Sequence, residues 1–167
     1  MSNFENLLIS TLKYGGAIVG EKTTKLLESS LDYEQCTRMI LDIGGQIEIL
    51  KENGLGLLYL NIEDITAMKD GSYLMTPKND PFFCDDKGML LIDRPFIYNS
   101  KSMAPELKMI HSLPHTIFYT CVYFSLKNIV VKAMKINNIQ DIYPTKLFFL
   151  IERCSDDDPD NRVFLFV

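Results

Sequence analysis

The sequence predicts a mainly helical fold, α+β only through one small β-hairpin. Three observations carry this expectation. The stretch from Ile117 to Met134 is apolar on nearly every face and is broken only by Ser125, Lys127, Asn128 and Lys132. Between Asp32 and Asn53, the residues Met39, Ile40, Ile43, Ile47, Ile49 and Leu50 recur at helical spacing. Asp70-Gly71 stands between two short apolar runs, a local hairpin signal.

The first stretch reads as a buried central helix around which the rest of the chain packs. A helix apolar on most faces belongs either in a globular core or in a bilayer. Its lysines, Asn128 and modest length fall short of the roughly 20 mostly apolar residues a membrane span needs. Lys127 and Lys132 can lay their stems on apolar surface and keep their heads in water.

Ahead of it, Phe4 to Leu12 has the pattern of a short amphipathic helix ended by Gly15-Gly16, and Gly20 to Leu31 that of a second. Asp32 with Gln35 makes a capping-box pattern for the long helix. Gly44-Gly45 lies within that helix at about 1 kcal/mol per glycine relative to alanine, tolerable where a neighbour approaches closely. Asn53-Gly54 is its stop. Leu55 to Leu60 is short and apolar, and the hairpin arms are Ala67–Lys69 and Ser72–Thr76. Pro77 to Gly88 reads as loop, Met89 to Ile92 as a small strand, and Asp93 to Ser102 as loop again. Met103 to Ile110 reads as a short helix and Pro144 to Cys154 as an amphipathic one, with Leu147, Phe148, Leu150 and Ile151 inward. An acidic loop, Ser155 to Asp160, leads to the apolar end Val163 to Val167.

Composition bounds the function. The 167 residues are 47% hydrophobic and 23% charged, as in an ordinary globular protein, and suffice for a core without disulfides or metals. A net charge of −5 argues against a nucleic-acid partner, whose affinity rests on clustered Lys and Arg. The polar start at Met1 to Asn6 lacks the pattern of a secretory signal. Cys36, Cys84, Cys121 and Cys154 are scattered without metal-ligand spacing, the pattern of free buried thiols in a reducing, cytoplasmic setting.

Motifs with chemical potential are few. Gly15 to Thr23 nearly spells a phosphate-binding P-loop, but Glu21 separates Gly20 from Lys22 and would repel phosphate; a glycine turn between helices is the better reading. His111 and His115 have the spacing of two ligands on a helix, yet Pro114 between them breaks such a helix and no third ligand is evident. Asp85-Asp86 and the cluster Asp156 to Asp160 lack the alternation, glycine and distal glutamate of a calcium loop, and read as solvated charge. No cofactor or metal site is expected.

Order and spacing carry one resemblance. Ser102 to Leu107 (SMAPEL) contains Ala104-Pro105-Glu106; Phe124-Ser125-Leu126 follows inside the apolar stretch; Leu150 to Arg162 (LIERCSDDDPDNR) closes the series. Together these resemble the A-P-E motif, the central-helix W/Y-S-L motif and the closing L-I-x-x-C…D-P-x-x-R segment of a protein kinase C-terminal lobe. The resemblance covers roughly Asp32 to Arg162, so residues 1–31 form an N-terminal helical extension and 32–167 a kinase C-lobe-like domain without an N-lobe. It implies an ion pair between Glu106 and Arg162.

The departures from that pattern set the functional expectation. Leu57-Leu58-Tyr59 stands where the resemblance places the catalytic H-R-D, and Tyr59 cannot accept a substrate proton as an aspartate does. Thr76-Pro77-Lys78 occupies the metal-binding D-F-G position, and Asp64 alone stands at the metal-binding asparagine. Val122 and Tyr123 replace the central-helix aspartate. The implied function is a non-enzymatic protein-interaction or structural module, architecturally similar to the kinase non-catalytic C-lobe (KIND) domain, without nucleic-acid or membrane partners. The alternatives are a pseudokinase that binds nucleotide without phosphoryl transfer, and a subunit or virion-type structural protein completed by a partner chain. The surface around Leu55–Leu60 and Tyr73–Met75, bare without an N-lobe, is expected to need a cover, either Met1 to Leu31 or a partner.

Overall fold

A computed structural model describes residues 29–167. The helices read at Phe4–Leu12 and Gly20–Leu31, and the glycine turn at Gly15–Thr23, lie outside the described residues or extend beyond them. The elements run α1 (Tyr33–Glu52), β1 (Leu55–Gly56), β2 (Ile65–Ala67), β3 (Tyr73–Met75), β4 (Phe82–Cys84), β5 (Met89–Ile92), β6 (His115–Phe118), α2 (Leu126–Met134) and α3 (Lys146–Cys154). Short 3-10 turns join them.

This is an α+β fold, and the mainly helical expectation is wrong. The described residues are 43% helical and 14% strand, with a four-stranded antiparallel sheet ordered β1-β4-β5-β6 beside the two-stranded β2-β3 hairpin. The error has two sources. Pro77 to Gly88 is not all loop: Phe82 and Cys84 turn inward, Phe83 turns out, and Asp85 organises a tight turn into β5. Its carboxylate accepts the N–H groups of Lys87 at 2.9 Å and Met89 at 2.8 Å, and Gly88 supplies the positive φ of 85°.

The second source is the apolar stretch itself. It is not one helix: His115–Phe118 is strand, Tyr119–Ser125 a 3-10 turn, and only Leu126–Met134 is α-helix. Its all-round apolarity serves two cores. Ile117 and Cys121 pack with the inner face of the sheet, against Leu90, Ile92, Met103 and Leu107. Val122, Tyr123, Leu126, Ile129, Val130 and Ala133 enter the larger core with α1 and α3. The segment from Met103 to Ile110 is likewise a 3-10 turn, Pro105–Met109, rather than a helix, and begins on the proline.

The long helix forms as its sequence predicts. Asp32 Oδ1 accepts Gln35 N–H at 2.8 Å while Gln35 Oε1 accepts Asp32 N–H at 3.1 Å, closing the capping box. Asn53 caps the far end, and Gly54 follows with a φ of 76°. Gly44 is the point of close approach: a Cβ there would lie 2.0 Å from Phe164 Cζ of the apolar C-terminal segment. Gly45 faces open space. Phe164 stacks on Tyr123 with ring centroids 5.3 Å apart, locking the end of the chain over α1.

The Asp70-Gly71 hairpin also forms, pairing Ile65 with Met75 and Ala67 with Tyr73. Its Tyr73–Met75 arm lies against α1, and the surface expected to be bare is covered there. Gln46 Nε2 donates to Tyr73 O at 2.7 Å and Gln46 Oε1 accepts Met75 N–H at 2.7 Å, so one buried side-chain amide completes the edge of β3. Asp42 accepts Tyr73 N–H at 2.9 Å. Leu57, Leu58, Leu60, Leu74 and Met75 are all buried.

Candidate functional site

The three motifs singled out in the sequence meet in space. Ser125 Oγ donates to Ser102 O at 2.6 Å and accepts Leu60 N–H at 3.0 Å. Ser102 Oγ in turn donates to Asn61 Oδ1 at 3.0 Å. The Phe124-Ser125-Leu126 motif therefore ties the Ser102–Leu107 motif to the segment that leads into Asp64. Leu126 and Ala104 are fully buried, and Pro105 opens the 3-10 turn that carries Glu106.

Glu106 and Arg162 form a bidentate pair at 2.6 and 2.9 Å. The Arg162 side chain is wholly buried and that of Glu106 is 20% exposed. Two further Arg162 donors reach Asp156 O at 2.7 Å and Asp157 O at 3.1 Å, and the guanidinium lies over the Phe124 ring, 5.4 Å from its centroid. The acidic loop is thus read out through its carbonyls, while Asp156 and Asp158 cap the N–H groups of Asp158 and Asp160.

Beside this framework lies a cleft of about 440 Å³, lined by Tyr59, Asp64, Lys78, Asn79, Asp80, Phe82, Arg94 and Phe96, among others. Tyr59 and Asp64 line it together, whereas Thr76 lies behind Asp64. Thr76 N–H donates to Asp64 O at 2.6 Å, and Thr76 Oγ1 lies 3.2 Å from Thr66 Oγ1. Asp64 is 5% exposed, and its carboxylate is engaged by the backbone: Oδ2 accepts Asn61 N–H at 2.8 Å and Oδ1 accepts Lys78 N–H at 3.2 Å. Tyr59 Oη accepts Asn79 Nδ2–H at 2.7 Å.

The outer wall is built by residues that sequence reasoning passed over. Arg94 donates to Asp80 O at 2.7 Å and Pro81 O at 2.9 Å, and lies over the Phe82 ring at 3.7 Å. It clamps the segment 77–81 to the run after β5. No local sequence signal marked it, because the contacts cross from one loop to another. A second groove of about 470 Å³ shares Pro95 and Phe96 with the first and continues along Tyr98, Leu107 and Lys108 to Leu113. Ile97 and Met109 stand exposed on this side of the chain, at 91% and 69%.

His111 and His115 are exposed and sit before and within β6, not on a helix. Among the described residues no group of three or more His, Cys, Asp or Glu could hold a metal ion. All four cysteines are free and buried, and burial pushes the Cys36 and Cys154 thiols up to about 12. No helix of the described residues is long and apolar enough to cross a membrane.

No family model, curated protein or solved structure matches this chain.

Proposed function

We propose that this chain is a non-enzymatic protein-interaction module built on a degenerate kinase-like C-lobe, acting in a reducing compartment and without nucleic-acid or membrane partners. The observation that carries the proposal is the state of Asp64. At the position the resemblance assigns to metal binding, the carboxylate is buried and holds two backbone amides. Tyr59, at the position assigned to the base, is hydrogen-bonded to Asn79. Both side chains keep the cleft wall in shape, and a wall held this way presents a preformed surface. The linked grooves are mixed in character, with Phe82, Phe96, Ile97 and the prolines beside Lys78, Asp80 and Arg94. This is the composition of a surface that takes a peptide segment. The Glu106–Arg162 pair supports the kinase-like framework, because two distant motifs converge there. Four buried free thiols fit the reducing compartment.

The test is a thermal melt with and without magnesium–ATP. The interaction-module reading expects no change in melting temperature. A rise of several degrees at saturating nucleotide means that the folded state binds it, overturns this reading and favours a nucleotide-binding pseudokinase.

A further inference from the structure

The four-stranded sheet ends on an open strand. β6 pairs with β5 through Met89–Phe118, Leu90–Ile117, Leu91–Thr116 and Ile92–His115, and no strand of the described residues lies on its other side. The direction of its backbone groups follows from one contact. Tyr119 N–H donates to Gly88 O at 2.8 Å, in the same register, so Tyr119 faces β5. Alternation then turns Ile117 and His115 toward β5, and the N–H and C=O groups of Thr116 and Phe118 away from it. The neighbouring strand agrees: Met89 O accepts Asp85 N–H at 3.0 Å and so faces β4.

We propose that β6 pairs with β6 of a second copy of this chain, antiparallel, about a two-fold axis at Ile117. The outward residues, Thr116 and Phe118, flank Ile117 symmetrically, so Thr116 of one copy meets Phe118 of the other. Each of these two pairs exchanges two N–H···O=C bonds, which uses every outward group of the strand. Charge permits it. The strand His115–Phe118 contains no Asp, Glu, Lys or Arg, so two copies of a chain with net charge −5 bring no like formal charges opposite one another here. Within its four residues the strand holds no lysine, proline or bulge to hinder such pairing.

The side chains favour the same arrangement. Thr116 and Phe118 share the outer face of the sheet with Phe83, which is 61% exposed, and Phe118 is 40% exposed. Across the axis the two Phe118 rings become diagonal neighbours, about 7–8 Å apart and within reach of each other. The result is one eight-stranded sheet, four strands from each copy, with a continuous apolar outer face. A contact this small lies below the roughly 1,600 Å² of a standard interface, so the dimer forms and dissociates with concentration.

Sedimentation equilibrium of the full chain over a wide concentration range tests this. A monomer–dimer equilibrium is expected, weakened at least tenfold by Thr116→Lys with the melting temperature of dilute protein unchanged. Independently, Ile117→Cys places two thiols across the axis at a non-hydrogen-bonded pair, where Cα atoms come about 4.5 Å apart and a disulfide closes. Mild oxidation is expected to trap a covalent dimer. A chain that stays monomeric at every concentration and gives no cross-link overturns the proposal, whether the edge is covered by residues 1–28 or by another protein. A dimer indifferent to Thr116→Lys overturns it too.

Discussion

Replacing Glu106 by Gln keeps the shape of the side chain and removes its charge. In the native protein Arg162 is wholly buried, and Glu106 supplies both carboxylate oxygens at 2.6 and 2.9 Å. Breaking a buried pair from one side typically costs about 3–5 kcal/mol, because the remaining charge is left in a medium that solvates it poorly. Here Arg162 keeps the carbonyls of Asp156 and Asp157 and the Phe124 ring. That places the loss at the low end, about 3 kcal/mol. For a chain of 167 residues this lowers the melting temperature by about 6–12 °C. Calorimetry or circular dichroism measures the change directly. The loss should persist at high salt, since a buried pair is screened far less than an exposed one. Adding Arg162→Met in the same chain should recover part of the loss, since the orphaned charge is then gone. A Glu106→Gln variant that loses under about 0.5 kcal/mol, or whose loss vanishes with added salt, would show the pair to behave as a surface ion pair and refute the reasoning.

The two adjacent glycines of α1 predict opposite signs. Gly44→Ala drives a methyl into Phe164, lifts that ring from Tyr123 and should cost about 1–2 kcal/mol despite better helix propensity, whereas Gly45→Ala meets nothing and should gain about 0.5–1 kcal/mol; equilibrium urea unfolding of both variants decides, and equal effects would contradict the packing. Stability should also fall at alkaline pH. The Cys36 and Cys154 thiols are raised from 9.0 to about 12 in the folded chain, so the stability they contribute is complete below pH 9 and is lost between pH 9 and about 12, at about 1.4 kcal/mol per pH unit for each. A melting profile that stays flat to pH 11, or one unaltered in Cys36→Ala and Cys154→Ala, would count against it.

Local signals in this sequence are reliable where one short-range interaction decides the structure. Asp32 and Gln35 bond each other across one turn, so the start of α1 is written in residues three apart. Asp70-Gly71 fixes its hairpin the same way: Asp70 Oδ1 accepts Ser72 N–H at 2.9 Å and Gly71 carries a φ of 84°. The Asp85–Gly88 turn uses the same chemistry but stands among prolines and aspartates, and its arms are short. Composition there points to loop, and one of the two pairing partners of Phe82–Cys84, Leu55–Gly56, lies on the far side of the first hairpin. Apolar periodicity fails for a different reason between Ile117 and Met134. Apolar residues at helical spacing mark a buried face, but periodicity says nothing about which core buries each of them. When successive residues serve cores on opposite sides, the pattern imitates a helix buried all round.

The same distinction governs the site. The identities of Tyr59 and Asp64 are legible, and identity alone suggests that Asp64 could hold a cation. Its partners are not legible, because Lys78 reaches it across the whole hairpin and Asn79 reaches Tyr59 from the same loop. Arg94 shows what this omission conceals: an arginine in the run after β5 becomes, in the fold, the clamp that joins the two walls of the cleft. Glu106 and Arg162 are the exception, 56 residues apart and yet legible as partners in the sequence, because the resemblance pairs the motifs that contain them. A long-range contact is legible when two motifs are read together, and hidden when its residues belong to none. The cleft is made almost entirely of the second kind, so its walls come together only in the fold.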